Sequence, residues 1–102
     1  MDKAISINHV SIRLTEERWF HIVENHDEVA GWYDEVLAVV EAPDYVIKGY
    51  RGALIALRSI NENKFMAVIY KELSQEDGFV ITAFLTSKID LDKEEVLWEK
   101  KF

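Results

Sequence analysis

The stretch KFMAVIYKELSQEDGFVITAFLTS, residues 64–87, decides the fold because it predicts two β-strands joined by a turn. β-Branched and aromatic residues dominate both halves, and the separator SQEDG is typical of a turn. Successive side chains of a strand point to opposite faces. One face of the second strand is predicted to be apolar and to pack under helices: Phe79, Ile81, Ala83 and Leu85. The opposite face is predicted to carry Val80, Thr82, Phe84 and Thr86.

Two earlier segments have the same β-branched and aromatic texture. They are DYVIKGY, residues 44–50, and ALIALRSI, residues 53–60. The separators GYRG and NEN are short, which favours antiparallel pairing of sequential strands and leaves no room for a crossover helix. The sequence therefore predicts a meander of about four strands. The opening ISINHVSIRL, residues 5–14, alternates as one strand or extended arm, which we expect at an edge.

Helical periodicity occupies the segments that flank the predicted sheet. Thr15 followed by two glutamates is typical of a helix start. Trp19, Ile22, Val23 and His26 follow at i, i+3, i+4 and i+7 on one face and predict a helix over residues 16–26. A second helical pattern runs over residues 29–40 and is ended by Pro43. It is either one helix or, divided at Gly31, a turn and a shorter helix with Asp34 as the cap. Asp92 with Glu95 resembles a capping box, so a short C-terminal helix is predicted over about 92–101.

These elements predict an α+β fold and one domain over residues 1–102. Two N-terminal helices are expected on one face of a roughly four-stranded antiparallel meander sheet, followed by the short C-terminal helix. A chain of 102 residues is long enough for a single hydrophobic core.

Composition restricts the compartment and the partners. The chain has no cysteine, which excludes disulfides and thiolate metal sites and is typical of a reducing cytoplasm. No run of about 18 apolar residues occurs, so no membrane span is predicted. A net charge of −7 disfavours nucleic acid as a partner, but residues 45–71 carry five cations against one acid, Glu62. A locally basic surface is therefore compatible with the sequence.

Histidines 21 and 26 are the first candidates for chemistry. Five residues along a helix separate two side chains by about 140°, so His21 and His26 are not expected to share a metal ion, and no metal or cofactor is predicted. His26 falls on the apolar stripe, where it either closes the helix as a structural residue or transfers protons. His21 falls on a polar strip with Arg18 and Asn25, which is compatible with a solvated helix face or with a site.

The predicted strands offer groups that bind phosphate. Arg58 ends an apolar row, where an arginine either reaches out to solvent or holds a phosphate. Lys71, Thr82 and Thr86 lie on neighbouring strands. RNA cleavage without metal needs a base, an acid and donors that stabilise the phosphorane charge. Histidine, arginine, lysine and threonine supply that inventory.

The order of segments resembles a family of nucleases. WFHIVENHDEV, DEVLAVVEAPDYVIKG, KFMAVIYKEL and GFVITAFLTSK are together similar to the phage-associated branch of the barnase, EndoU, colicin and RelE-like nuclease group. The resemblance covers about residues 12–88 and implies a toxin-type, metal-independent endoribonuclease that acts on RNA such as tRNA. The resemblance places His26 at the histidine of the family pattern and Thr82 on the last strand. With His21 as the second candidate for proton transfer, the predicted catalytic residues are His26, His21 and Thr82. The phosphate-binding residues that the resemblance implies are Arg58, Lys71 and Thr86.

Two other functions remain open at this point. One is a non-catalytic acidic binding module, such as the partner protein of a toxin–antitoxin or phage-defence pair, or a degenerate nuclease fold that acts through contact with a protein. The other is a homo-oligomeric domain, because three Trp, four Tyr and five Phe are many for this length. An antitoxin is the protein partner expected for an active toxin. The role of His9 is also open.

Overall fold

The computed structural model describes residues 2–101 and has an α+β fold with one mixed sheet of seven strands. The strands are β1 (Asp2–Ile5), β2 (Ser11–Leu14), β3 (Tyr45–Lys48), β4 (Leu54–Asn61), β5 (Lys64–Glu72), β6 (Gly78–Thr86) and β7 (Val96–Glu99). The helices are α1 (Glu16–Asn25) and α2 (Tyr33–Glu41), with short 3-10 turns at Asp27–Val29 and Leu91–Lys93.

The sheet differs from the predicted four-stranded meander, which was wrong in strand number and in direction. The order is β1-β2-β6-β5-β4-β3-β7, and the pair β2–β6 is parallel whereas the other neighbours are antiparallel. Strands β3 to β6 pair sequentially in its centre. Strands β1 and β2 extend one edge of the sheet, beside β6, and β7 extends the other edge, beside β3. Backbone groups on the outer sides of β6 and β3 therefore gain hydrogen-bond partners.

The N-terminal segment is a hairpin and not the single strand predicted over residues 5–14. Residues 7–9 form the turn, in which the backbone N–H of His9 donates to the carbonyl of Ser6 at 2.9 Å. His9 has a φ of 64°, the left-handed conformation that ends a three-residue hairpin loop. Alternation of side chains continues on both sides of the turn, which is why the pattern resembled one strand.

The predicted C-terminal helix was also wrong, because Val96–Glu99 forms strand β7 on the free edge of β3. Asp90, and not Asp92, supplies the cap: its side chain accepts from the backbone N–H of Asp92 and begins the 3-10 turn. The segment between β6 and β7 crosses the sheet face opposite the helices. Its Ile89 and Leu91 cover a small second core there, made by Ile47, Leu57 and Ala67.

The main core lies between the sheet and the two helices. Thr15 caps α1 by accepting from the backbone N–H of Arg18 at 3.1 Å, and Glu16 and Glu17 lie in the first turn, as the sequence indicates. Helix α1 lies beside β6, which β2 pairs only at Gly78 and Phe79, and α2 packs on β1, β4 and β5. The fully buried members of this core include Ile12, Leu14, Ile22, Val36, Val40, Val46, Ala56, Met66, Val68 and Tyr70.

A β-bulge in β6 changes which side chains share a face. Tyr70 pairs with Val80 and Ile69 pairs with Thr82, so Ile81 is an extra residue in β6. One inserted residue reverses the alternation on one side of it. Val80 is therefore buried beneath the helices, whereas Phe79 lies on the opposite face, contrary to the prediction for both residues.

Candidate functional site

An open groove of about 500 Å³ lies between α1 and β6, and we call it the histidine groove. The residues that line it are Arg18, His21, Ile22, Asn25, His26, Ile81 and Thr82. Three of the predicted site residues, His21, His26 and Thr82, thus lie in one depression. Both imidazoles are accessible to a ligand in it.

The two histidines reach the same groove because the helix ends between them. α1 stops at Asn25, and His26 has φ −138° and ψ 71°, outside the helical region. The angle of about 140° between positions five apart applies only within a regular helix. Leaving the helix lets the His26 side chain swing toward β6, while Ile22 alone among the α1 residues is fully buried.

The surroundings of His26 orient its ring. The ring centroid lies 5.4 Å from that of Phe84 on β6, with 33° between the planes. Its Nδ1 lies 3.6 Å from Oε2 of Glu28, and both side chains are somewhat over one-third exposed, at 36% and 38%. The same carboxylate oxygen accepts from the backbone N–H of Leu85 at 3.4 Å. Glu28 thus faces Nδ1 and leaves Nε2 directed away from the carboxylate.

Arg18 is the residue that sequence reasoning did not place among the site residues. It lines the histidine groove, a second depression with Thr15 and Glu17, and a third with Phe79. Its guanidinium has no ion-pair partner among residues 2–101. The available signal was its spacing, since Arg18 lies one turn before His21 on the polar strip of α1.

Arg58, predicted to bind phosphate, lies on the helix side of the sheet and not in the groove. Its Nη2 donates to the carbonyl oxygens of Ala38 at 3.0 Å and Ala42 at 2.7 Å, at the C-terminal end of α2. A cation at that end satisfies free carbonyls and opposes the helix dipole. The structure therefore gives Arg58 a helix-capping contact.

Lys71 and Thr86 also lie outside the groove. Lys71 is on the sheet face opposite the helices, paired across the strands with Phe79. Thr86 ends β6 opposite Phe65, and its Oγ1 accepts from the backbone N–H of Lys88 at 3.1 Å. The six predicted residues therefore separate into a groove set of three and three others at different places. His9 lies in the β1–β2 turn and does not line the groove.

Among residues 2–101, no three His, Asp or Glu side chains are close enough together to bind a metal ion. Over the same residues, no helix is long and apolar enough to cross a membrane. Comparison of the chain with protein-family models, curated protein sequences and solved structures gave no match. The resemblance to the nuclease group stays a prediction that rests on the short sequence patterns.

Proposed function

We propose that the protein is a toxin-type endoribonuclease that needs no metal ion and cleaves RNA in the histidine groove. The observation that carries the proposal is the presence of two accessible imidazoles and the unpaired guanidinium of Arg18 in one open groove. Imidazoles exchange protons near neutral pH, and a guanidinium binds a phosphodiester through two parallel hydrogen bonds.

In the proposed reaction His26 is the base and His21 the acid. His26 Nε2 takes the proton of the ribose 2′-OH, and the 2′ oxygen attacks phosphorus to form a new P–O bond. The bond from phosphorus to the 5′ oxygen breaks, and His21 gives a proton to that oxygen. The products are a 2′,3′-cyclic phosphate and a 5′-hydroxyl end. Glu28, 3.6 Å from Nδ1, stabilises the imidazolium that forms on His26.

Arg18 and Thr82 act on the phosphate in this proposal. Negative charge grows on the non-bridging oxygens as the phosphorane forms, and donors aimed at those oxygens lower the barrier. Arg18 supplies a permanent positive charge, and the Thr82 hydroxyl supplies a neutral donor from the opposite wall of the groove. The β-bulge at Ile81 supports this role of Thr82, because bulges commonly redirect a side chain beside a site.

The test compares the same substitution at all three histidines. Purified protein is incubated with end-labelled single-stranded RNA and with tRNA in EDTA, and the fragments are analysed for cyclic phosphate ends. We expect His26→Asn and His21→Asn each to lower the cleavage rate by about 10²–10⁴-fold, the usual contribution of a general acid or base. His9→Asn is the matched control, because asparagine tolerates the left-handed backbone at that turn and His9 is outside the groove.

Two results contradict the proposal. One is a folded wild-type protein that leaves both RNAs intact in EDTA. The other is cleavage that is the same in all three variants, because an unchanged rate indicates a contaminating nuclease and an equal fall indicates a general loss of structure. Circular dichroism of each variant separates loss of structure from loss of activity.

A second candidate function is a non-catalytic acidic module that binds a basic protein partner, such as the toxin of a toxin–antitoxin pair. Phe20 favours it: the side chain is 67% exposed on α1 and lies one turn from both Glu16 and Glu24. An exposed apolar side chain flanked by two carboxylates complements a basic protein surface. In affinity capture with this chain as bait, the function requires that a protein bound by the wild type is also bound by His26→Asn but is not bound by Phe20→Ser.

The remaining expectations about partners and location accompany the proposal. Cellular RNA, including tRNA, is the proposed substrate, and the cytoplasm is the proposed location. A homo-oligomer stays a prediction. Size-exclusion chromatography with light scattering measures that state directly.

A further inference from the structure

The aromatic ring of Phe79 lies in a depression next to the histidine groove. Phe79 on β6 is directly opposite Arg13 on β2 and opposite Lys71 on β5, so the three side chains form a row across three strands. The row lies on the face opposite the helices, because Val80 and Tyr70 point the other way into the core. Phe79 is half-buried and keeps part of its surface exposed.

The depression at Phe79 and the histidine groove share one lining residue, Arg18. The depression at Phe79 has a volume of about 230 Å³ and is lined by Arg13, Thr15, Arg18, Phe79 and Val80. Arg18 lines both depressions, so a ligand phosphate at Arg18 places the adjoining part of the ligand beside Phe79. The two depressions thus have the arrangement of adjacent subsites.

The cations around Phe79 differ in how far they are neutralised. Arg13 is ion-paired with Asp77. Lys71 and Arg18 have no ion-pair partner among residues 2–101. The lysine extends over the β3–β4 turn, where its Cε lies 3.8 Å from the position that a Cβ on Gly52 would occupy. Of these two unpaired cations, Arg18 lines the depression of Phe79, whereas the end of Lys71 lies toward β4, on the far side of β5. On a chain with a net charge of −7, they attract an anion locally.

We propose that Phe79 stacks a nucleobase of single-stranded RNA next to the cleaved phosphate, with Lys71 contacting a neighbouring phosphate. The inference rests on the proposed function and specifies its substrate as single-stranded. An aromatic ring beside cations is the usual platform for an unpaired base. A base within a duplex is already stacked on both sides and does not present its flat surface to the ring.

Binding is measured on a catalytically inactive background, so that the RNA stays intact. His26→Asn protein is titrated with fluorescein-labelled single-stranded RNA of about ten nucleotides and with a hairpin duplex as competitor. Adding Phe79→Leu removes the aromatic surface but retains an apolar side chain, and we expect about a tenfold weaker affinity. Phe79→Trp is expected to restore or tighten binding. The duplex is expected to compete poorly.

Two further variants separate stacking from general effects. Phe65→Leu is the matched control, because Phe65 lies in the second core on the same sheet face and contacts Tyr45, away from the groove. We expect no change in its affinity. Lys71→Gln is expected to weaken binding and to reduce the slope of log affinity against log salt by about 0.7, the value for one phosphate contact on a single strand.

The outcomes distinguish this inference from the proposed function. Single-stranded RNA that binds through Phe79 but is not cleaved by the wild type supports the stacking site and contradicts the ribonuclease. Cleavage by the wild type together with unchanged affinity in Phe79→Leu and Lys71→Gln overturns the stacking site alone. Equal affinity for duplex and single strand also overturns it.

Discussion

Two arginines on different sides of the sheet give a direct test of the site. Arg58, predicted from sequence to bind phosphate, donates to Ala38 O and Ala42 O at the end of α2. Arg18 lines the histidine groove and has no ion-pair partner among residues 2–101. Arg→Met at either position removes the charge and keeps an unbranched apolar stem. We expect Arg58→Met to lower thermal stability without changing the cleavage rate, and Arg18→Met to lower the cleavage rate without changing thermal stability.

The cost of Arg58→Met follows from its two hydrogen bonds. A hydrogen bond from a charged group contributes about 1.5–3 kcal/mol, and partial exposure at Ala42 lowers that value, so we expect a loss of about 1–2 kcal/mol in unfolding free energy. For a chain of this length, that loss lowers Tm by about 5–15 °C. Cleavage measured well below the lowered Tm is expected to be unchanged.

Arg18→Met is expected to leave Tm nearly unchanged, because an exposed helical residue without a side-chain partner contributes at most about 0.5 kcal/mol. Its cleavage rate is expected to fall about 10- to 100-fold, less than for a buried phosphate donor because the groove is open. The measurements are differential scanning calorimetry and initial cleavage rates. If Arg58→Met abolished cleavage at an unchanged Tm, Arg58 would bind phosphate and the placement of the site in the groove would be refuted.

Two further predictions concern the sheet itself. The Tyr70 hydroxyl is buried without a hydrogen-bond partner among residues 2–101, so Tyr70→Phe is expected to raise the unfolding free energy in urea by about 1 kcal/mol. Burial, and secondarily the Glu72 carboxylate, raises the pKa of Tyr70 in the folded protein. Above about pH 10 the phenol ionises in the unfolded chain but not yet in the folded one, so the stability of the wild type should fall as pH rises through that range. Tyr70→Phe should show a smaller fall, and an identical pH dependence in the two proteins would contradict the argument. Gly78→Ala is expected to cost about 2–3 kcal/mol or more, because its Cβ would lie 2.4 Å from the carbonyl oxygen of Lys71. Gly31→Ala, whose methyl meets open space, is the comparison and should cost about 1 kcal/mol from its φ of 84° alone; equal losses would show that the close approach at position 78 is unimportant.

Local sequence signals predicted most of the helices and strands near the site. Thr15 with two following glutamates predicted the start of α1, and the apolar period predicted its extent to within one residue. The strands of residues 64–87 followed from β-branched and aromatic texture with a turn between them. These signals depend on residues that are close together in the sequence, so they can be recognised without knowledge of the fold.

Errors concentrated where the partner of a segment is distant in sequence. Residues 96–99 follow the helix-like capping pattern of Asp92 and Glu95, yet they form a strand because β3, about fifty residues earlier, offers an unpaired edge. Similarly, the N-terminal alternation did not reveal that β1 and β2 fold back on each other around His9. Tertiary pairing overrides local preference in both cases.

The sequence by itself determined an α+β chain with a capped first helix, a central run of strands and a histidine at the end of that helix. Only the tertiary structure decided which side chains meet. His26 joins His21 because α1 ends before it, and Thr82 and Phe79 share a face because one extra residue at Ile81 shifts the alternation of β6. Helix ends and strand register depend on contacts across the whole sheet, and a shift of one residue reverses the faces.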